Sequence, residues 1–222
     1  MRKLVRIVEF QIGLGSTKLA LDEQRSVNMA LFSTFEPIVL WLRERTIRAP
    51  FKKIAISLAD EAAARWHGNV SNAIGICQVT EAVPVSTIRQ GTGDHRWVLG
   101  IVDHALGCVA RSTGWRSDEL ESFIKDVSER PLPLVHVFEG LAQVDKASGV
   151  KCVPWLSSRP GETQIGVRVG EREVTVVSEP EPIYLEDSFP MAKSAIRGRE
   201  YVLLDKAGKV LASVAIDNLA LH

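Results

Sequence analysis

The sequence predicts an α+β fold with a mixed or largely antiparallel sheet, two to four helices and a C-terminal third made mostly of β-hairpins. Two observations support this class. Apolar residues recur at helical spacing in residues 94–112 and 117–128. Beyond residue 131, short β-branched or aromatic segments alternate with turn residues. Because helices and strands do not alternate along the whole chain, a repeating βαβ fold is disfavoured.

The N-terminal part of the chain predicts a strand and then a helix. Residues 3–12 alternate apolar and polar side chains, as a strand with one buried face does. Residues 16–32 fit no single pattern. The helix is expected to begin at Ser33 or Thr34, which are good N-caps, with Pro37 in its first turn. It must end before the next proline, near residue 49.

The middle of the chain predicts two strands and a pair of helices. Residues 53–58 and 73–79 are short apolar runs of the buried-strand type, and residues 60–66 suit a helical turn or short helix. The first long helix has Asp94 as its cap and Gly114 as its stop.

The second helix of this pair, residues 117–128, has the most regular pattern in the chain. Ser117 is its expected cap, and Pro131 and Pro133 end it. Its buried positions follow a helical repeat of i, i+3, i+4 and i+7: Leu120, Phe123, Ile124 and Val127.

The last third of the chain predicts strands joined by tight turns. The segments are residues 134–138, 150–156, 164–169, 173–177, 201–205 and 209–216. Two hairpins are expected, one turning at residues 170–172 and the other at residues 205–208. We predict a single domain over residues 1–222; the alternative is a mixed α/β lobe over residues 1–130 and a mostly β lobe over residues 131–222.

Composition excludes several classes of protein. The chain has 27 Lys and Arg against 27 Asp and Glu, and 45% of its residues are hydrophobic. Disordered chains and collagen-like chains differ from this profile, and general nucleic-acid binders usually carry a basic excess. The three cysteines predict no disulfide framework. Because no long apolar segment or signal-peptide core is present, we expect a cytoplasmic protein without a membrane partner.

The zero net charge conceals an asymmetry between the two halves of the sequence. Residues 1–111 hold 14 basic and 10 acidic residues, a net charge of +4, whereas residues 112–222 hold 13 and 17, a net charge of −4. The basic excess is densest in residues 43–53 and the acidic excess in residues 171–187. Such runs are usually solvated faces, but they also attract charged partners.

Known chemical motifs are missing from the sequence. The glycines at positions 13 and 15 lack the further residues of a phosphate-binding loop, so a turn or bulge is expected there. His104 and Cys108 are four residues apart on a predicted helix, but two side chains do not close a zinc site. We therefore expect a histidine at the boundary of the core beside a buried cysteine. His136 and Glu139 have odd spacing on a strand and should face opposite ways. No catalytic residue, metal or cofactor is predicted.

Tryptophan and arginine are neighbours more often than chance predicts. Both residue types are enriched at the energetic centres of protein interfaces. Trp41 and Trp97 lie in regular apolar patterns and are expected in the core. The candidate partner-binding residues are Arg65, Trp66, His67, Trp115, Arg116, Arg43, Arg45, Arg48, Glu171 and Glu173.

One segment carries a family resemblance. It runs from His95 to Leu106 and continues through Val109 to Trp115 and the Asp118-Glu119-Leu120 triplet, which together make up about a tenth of the chain. This segment resembles part of small uncharacterised bacterial proteins of the polymorphic-toxin immunity type. The resemblance implies a cytoplasmic, non-catalytic protein that binds and neutralises a toxin.

The sequence thus favours a non-catalytic protein-binding module of the immunity type, whose partner is another protein such as a toxin domain. The alternative is an enzyme of an unrecognised family with a histidine and a carboxylate in its site, the histidine being His104, His67 or His136. Nucleic-acid binding through the basic N-terminal half ranks third. The sequence leaves the oligomeric state open.

Overall fold

A computed structural model describes residues 5–6, 9–15, 17–45, 47–60, 69–73, 75–130, 133–180 and 191–216. The chain divides into two compact units, Met1–Leu134 and Val135–His222. Helices and strands of both units confirm the α+β class. The choice between one domain and two lobes stays a prediction.

A mixed four-stranded sheet forms the centre of the first unit. The strands described in this unit are β1 Val5–Arg6, β2 Glu9–Leu14, β3 Arg48–Ala49, β4 Lys53–Ala59, β5 Asn69–Ala73 and β6 Ile76–Ala82. The order in the sheet is β2-β4-β6-β5, with β2, β4 and β6 parallel and β5 antiparallel to β6. β1 and β3 form a separate antiparallel pair.

Two strand predictions in this unit need correction. The described part of residues 3–12 belongs to two strands, β1 and β2, rather than to one. The predicted strand over residues 73–79 is split by Gly75, whose φ of 78° lies in the left-handed region that favours glycine. The chain reverses there, so β5 and β6 form an antiparallel pair.

Four helices are described in the first unit. They are α1 Leu21–Glu44, α2 Val85–Gly91, α3 His95–Thr113 and α4 Asp118–Ser128. The short helix predicted over residues 60–66 lies outside the described residues, apart from its first position.

The start predicted for the first helix is wrong. α1 begins at Leu21, so Ser33 and Thr34 are buried in its interior and Pro37 is an internal residue. The Thr34 hydroxyl donates to the Ala30 carbonyl, 2.9 Å away on the previous turn, instead of capping a helix end. Packing of the long apolar face of the helix overrides the local signals that suggested a boundary.

The predicted boundaries of α3 and α4 are confirmed. Asp94 accepts a hydrogen bond from the Arg96 N–H at 2.8 Å, and Gly114 ends α3 with φ 69°. The Ser117 hydroxyl accepts from the Leu120 N–H at 3.2 Å and begins α4. The four predicted core positions of α4 are all buried. α3 packs against β6, which places one face of the helix over the sheet.

The second unit consists of antiparallel strands and a short 3-10 turn at Glu139–Leu141. Its strands are β7 Val135–Val137, β8 Gln143–Val144, β9 Lys151–Arg159, β10 Glu162–Val169, β11 Arg172–Glu179, β12 Lys193–Arg197, β13 Glu200–Leu204 and β14 Val210–Ala215. One sheet has the order β11-β10-β9-β7 with β8 on β9, and the other has the order β12-β13-β14. The β10–β11 and β13–β14 hairpins confirm both predicted turns.

None of the described helices is long and apolar enough to cross a membrane.

Candidate functional site

The predicted partner-binding residues fall into three groups. Arg65, Trp66 and His67 lie outside the described residues. Glu171 and Glu173 are exposed on the β10–β11 hairpin of the second unit, where Arg168 donates two hydrogen bonds to the Glu173 carboxylate at 3.0 and 2.6 Å. The remaining five belong to the first unit: Arg43, Arg45, Arg48, Trp115 and Arg116.

Trp115 joins two of the predicted contact segments. It lies in the short loop between the left-handed end of α3 and the cap of α4, and its side chain is half-buried. Its indole Nε1–H donates to the Arg48 carbonyl at 3.1 Å, across 67 positions of sequence. Its ring also makes an edge-to-face contact with the ring of the buried Phe51, with centroids 5.1 Å apart. The tertiary structure therefore places Trp115 against the basic segment of residues 43–53.

A groove of about 420 Å³ lies between α3 and α4 beside Trp115. Its apolar part includes Leu106, Ala110 and Leu120 together with Trp115. Its charged residues are Asp103, Arg111, Arg116 and Glu121. We call Arg48, Trp115, Arg116 and this groove the Trp115 surface. An aromatic side chain between an apolar groove and charged neighbours is typical of protein-contact sites.

The arginines of the basic segment lie at the surface of the first unit. Arg43, Arg45 and Arg48 are all exposed. Arg45 lies 3.5 Å from Asp126 on α4, but both side chains are about half exposed, so the pair contributes little to stability. The segment therefore presents cationic groups to solvent next to the Trp115 surface.

The tryptophans predicted to be in the core behave differently from each other. Trp41 is buried, and the Arg130 guanidinium lies 4.1 Å from its ring centroid. This confirms the prediction for Trp41 and adds a cation–π contact. Trp97 is only half-buried, and its ring packs against Gly91. The prediction for Trp97 is therefore only partly met.

A second cluster joins Glu81, His104 and Cys108. Glu81 is the penultimate residue of β6, and the other two are one turn apart on α3. His104 Nδ1 lies 2.9 Å from a Glu81 carboxylate oxygen, and one ligand atom of each residue lies within 4.8 Å of the others. Glu81 is 1% exposed and Cys108 is 4% exposed, whereas the His104 side chain is 48% exposed. The predicted boundary histidine and buried cysteine are confirmed.

Sequence reasoning missed the carboxylate of this cluster. Along β6, Cys77, Val79 and Glu81 alternate onto the buried face. The available signal was Glu81 itself, an acidic residue on the apolar face of a strand. Because a buried carboxylate requires a polar partner, its position indicates that such a partner lies nearby. His104 supplies one such partner from α3.

The electrostatics of Cys108 favour a protonated thiol. Burial and the nearby Glu81 carboxylate raise its pKa, while the Arg111 guanidinium, 3.1 Å from the sulfur, lowers it. The net direction is upward. Because the thiolate is the nucleophilic form, Cys108 is a poor nucleophile in this setting.

His136 and Glu139 do not form a site. His136 is buried, and its ring makes an edge-to-face contact with the Phe138 ring, with centroids 4.5 Å apart. Glu139 is exposed and accepts from Lys151 at 2.8 Å. The predicted separation of these two side chains is consistent with their different surroundings.

The chain matches no protein-family model, and comparisons with curated proteins and with solved structures also find no match. The resemblance to immunity proteins therefore stays a prediction.

Proposed function

We propose that the protein is a non-catalytic protein-binding module whose contact site is the Trp115 surface. The supporting observation is the hydrogen bond from the Trp115 indole to the Arg48 carbonyl. It unites two segments that the sequence singled out independently, the Trp-Arg pair at residues 115–116 and the basic segment at residues 43–53. The site is built mainly on α3, α4 and the edge of β3, so its frame is regular secondary structure.

The composition of the surface suits a protein partner. Trp115 has a fixed ring position because its N–H donates to Arg48 and its ring packs against Phe51, which reduces the entropy lost when a partner binds. The adjacent Arg116 is exposed and lines the groove. Tryptophan and arginine together account for a large share of interface energy in other complexes.

Charge indicates the chemistry of the partner. The exposed Arg43, Arg45 and Arg48 lie on the segment that Trp115 contacts. Arg116 adds a further cation at the groove, whose lining also holds Arg111, Asp103 and Glu121. An acidic surface segment bearing an apolar side chain for the groove would complement this arrangement. Following the resemblance to immunity proteins, we propose that this partner is the domain of a cognate bacterial toxin.

Charge reversal tests this proposal. The full chain is used as bait in its native host and in co-expression with the product of the neighbouring gene, and the affinity of the captured protein is then measured. We expect Arg116→Glu and Arg48→Glu each to weaken binding by roughly tenfold or more, mainly through a slower association rate. Arg25→Glu is the matched control, because Arg25 is an exposed arginine near the start of α1.

Three results would count against the proposal. The first is the absence of a stable protein partner. The second is a captured protein whose affinity is the same for Arg116→Glu and for the control. The third is tight retention of nucleic acid with steep salt dependence, which would support the third function instead.

The Glu81–His104 pair supports the alternative function, an enzyme with a histidine and a carboxylate. His104 is half exposed and within hydrogen-bonding distance of a buried carboxylate, an arrangement that general acid–base catalysis requires. It ranks second because the sequence around this pair carries no known catalytic motif. A His104-dependent turnover of any substrate, unaffected by Arg116→Glu, would reverse this order.

A further inference from the structure

The cluster of Glu81, His104 and Cys108 contains three different metal-ligating groups from two elements of the fold. The parallel strand β6 supplies Glu81 from its buried face, and α3 supplies His104 and Cys108 from successive turns. Residues four apart on a helix share a face, and α3 packs on β6, so the three side chains converge. This convergence removes the sequence-based objection that two ligands do not make a site.

We propose that Glu81, His104 and Cys108 bind a zinc ion, with the fourth coordination position open to water or to a partner's side chain. One sulfur, one imidazole nitrogen and one carboxylate oxygen form a donor set that suits zinc better than magnesium or calcium, which prefer oxygen alone. Three protein ligands and one position open to water or substrate are the arrangement of catalytic zinc sites, whereas structural zinc sites have four protein ligands.

The distances require only small side-chain movements. Zinc bonds of about 2.0 to 2.3 Å place tetrahedral ligand atoms roughly 3.3 to 3.8 Å apart. The Glu81–His104 contact of 2.9 Å is slightly shorter, and all three ligand atoms lie within 4.8 Å of one another. A rotation of the half-exposed His104 ring can lengthen its contact with Glu81, because that side chain is not enclosed by the core.

The charges of the cluster also favour a divalent cation. Glu81 is a buried carboxylate, and in the core its negative charge attracts a cation more strongly than it would in water. Zinc binding releases the proton of the Cys108 thiol to solvent, and the resulting thiolate and the Glu81 carboxylate together balance the two positive charges of the ion. The Arg111 guanidinium already donates to the Cys108 sulfur, so it can stabilise the bound thiolate from outside the metal.

Cobalt and zinc titration of the full chain tests the proposal. After treatment with a chelator, the protein is titrated with Co²⁺, and Zn²⁺ is then added as a competitor. We expect one equivalent of Co²⁺ with a thiolate-to-metal charge-transfer band in the near ultraviolet, displaced by Zn²⁺. Cys108→Ala should abolish that band, whereas Cys77→Ala, a change at another buried free cysteine, should retain it.

A second pair of variants separates ligation from folding. His104→Gln alters a half-exposed side chain and should leave the circular dichroism spectrum unchanged, yet weaken Zn²⁺ binding by more than about 100-fold, because even groups outside the ligand shell cost 10- to 100-fold. Asp103→Asn removes the neighbouring exposed carboxylate and should leave the Zn²⁺ affinity unchanged. The proposal is overturned if the parent chain does not bind Zn²⁺, if bound Co²⁺ shows no thiolate band, or if His104→Gln binds Zn²⁺ as tightly as the parent and the Asp103→Asn control do.

Discussion

At the residue scale, the Trp97 ring limits which side chains can replace the buried Gly91. Gly91 is the last residue of α2, and a Cβ placed on it would overlap the Trp97 ring. Gly100, in the middle of α3, has no other atom within 4 Å of the equivalent position. The two helical glycines therefore have opposite requirements, although the sequence alone does not distinguish them.

Alanine substitution at these two glycines should change stability in opposite directions. We expect Gly91→Ala to lower the free energy of unfolding by about 1–3 kcal/mol, because the Trp97 ring must move. Gly100→Ala should raise it by about 0.5–1 kcal/mol, because alanine loses less backbone entropy in a helix. Urea unfolding followed by tryptophan fluorescence measures both. Shifts of equal sign would show that the overlap at Gly91 is relieved without cost.

Glu81, His104 and Cys108 show why the chemistry of a residue depends on its place in the fold. His104 and Cys108 are recognisable as a pair from their spacing, but Glu81 is 23 positions away from His104. The Glu81 carboxylate is unusual only because it lies on the buried face of β6. That burial depends on the register of β6 in the sheet and on the packing of α3.

At the element scale, capping residues determine where α3 and α4 begin, but not where α1 begins. α3 and α4 have side-chain caps at Asp94 and Ser117, and both boundaries are predictable from sequence. α1 begins after Ala20, which makes no side-chain cap hydrogen bond, and Pro37 lies inside it. Its start is therefore determined by burial of its apolar face rather than by a local signal.

Loss of the α3 cap should destabilise the first unit measurably. We expect Asp94→Ala to lower the free energy of unfolding by about 1 kcal/mol, because the Arg96 N–H loses its carboxylate acceptor. Asp94→Asn is the matched variant and should retain most of the stability, since asparagine is an equally good cap. Urea denaturation of both variants provides the comparison. Equal losses in the two would mean that the negative charge, rather than the acceptor, stabilises the helix.

Buried ionisable groups give the whole molecule a predictable response to alkaline pH. Burial raises the pKa of Cys77 from an ordinary 9.0 to about 11, and that of Tyr201 from 10.0 to about 12. The other two cysteines are also buried, and their pKa values are raised. In each case the unfolded chain ionises at a lower pH than the folded protein, so rising pH favours unfolding.

Stability should therefore fall as pH rises above the pKa of an exposed thiol. The contribution of Cys77 is fully present below pH 9.0 and is lost between there and about pH 11. Urea midpoints measured across this interval, under reducing conditions, should decrease steadily. Cys77→Ala should show a shallower decrease between pH 9.0 and 10.0, before the phenol contributes. A variant curve as steep as that of the parent would contradict this role for Cys77.

The sequence by itself determined the features that depend on neighbouring residues. Helical periodicity and caps predicted α3 and α4, and turn residues predicted the hairpins of the second unit, because these signals act over a few positions. The same local pattern predicted that Cys108 is buried and that His104 lies at the edge of the core.

Only the tertiary structure decided which distant residues meet. The contact of Trp115 with Arg48 and that of Glu81 with His104 join residues 67 and 23 positions apart, and no local pattern encodes either pairing. Both depend on the packing of α3 and its flanking loop against the strands of the first unit. Burial then changes the chemistry of the Glu81 carboxylate, because a carboxylate removed from water needs a polar partner within the protein.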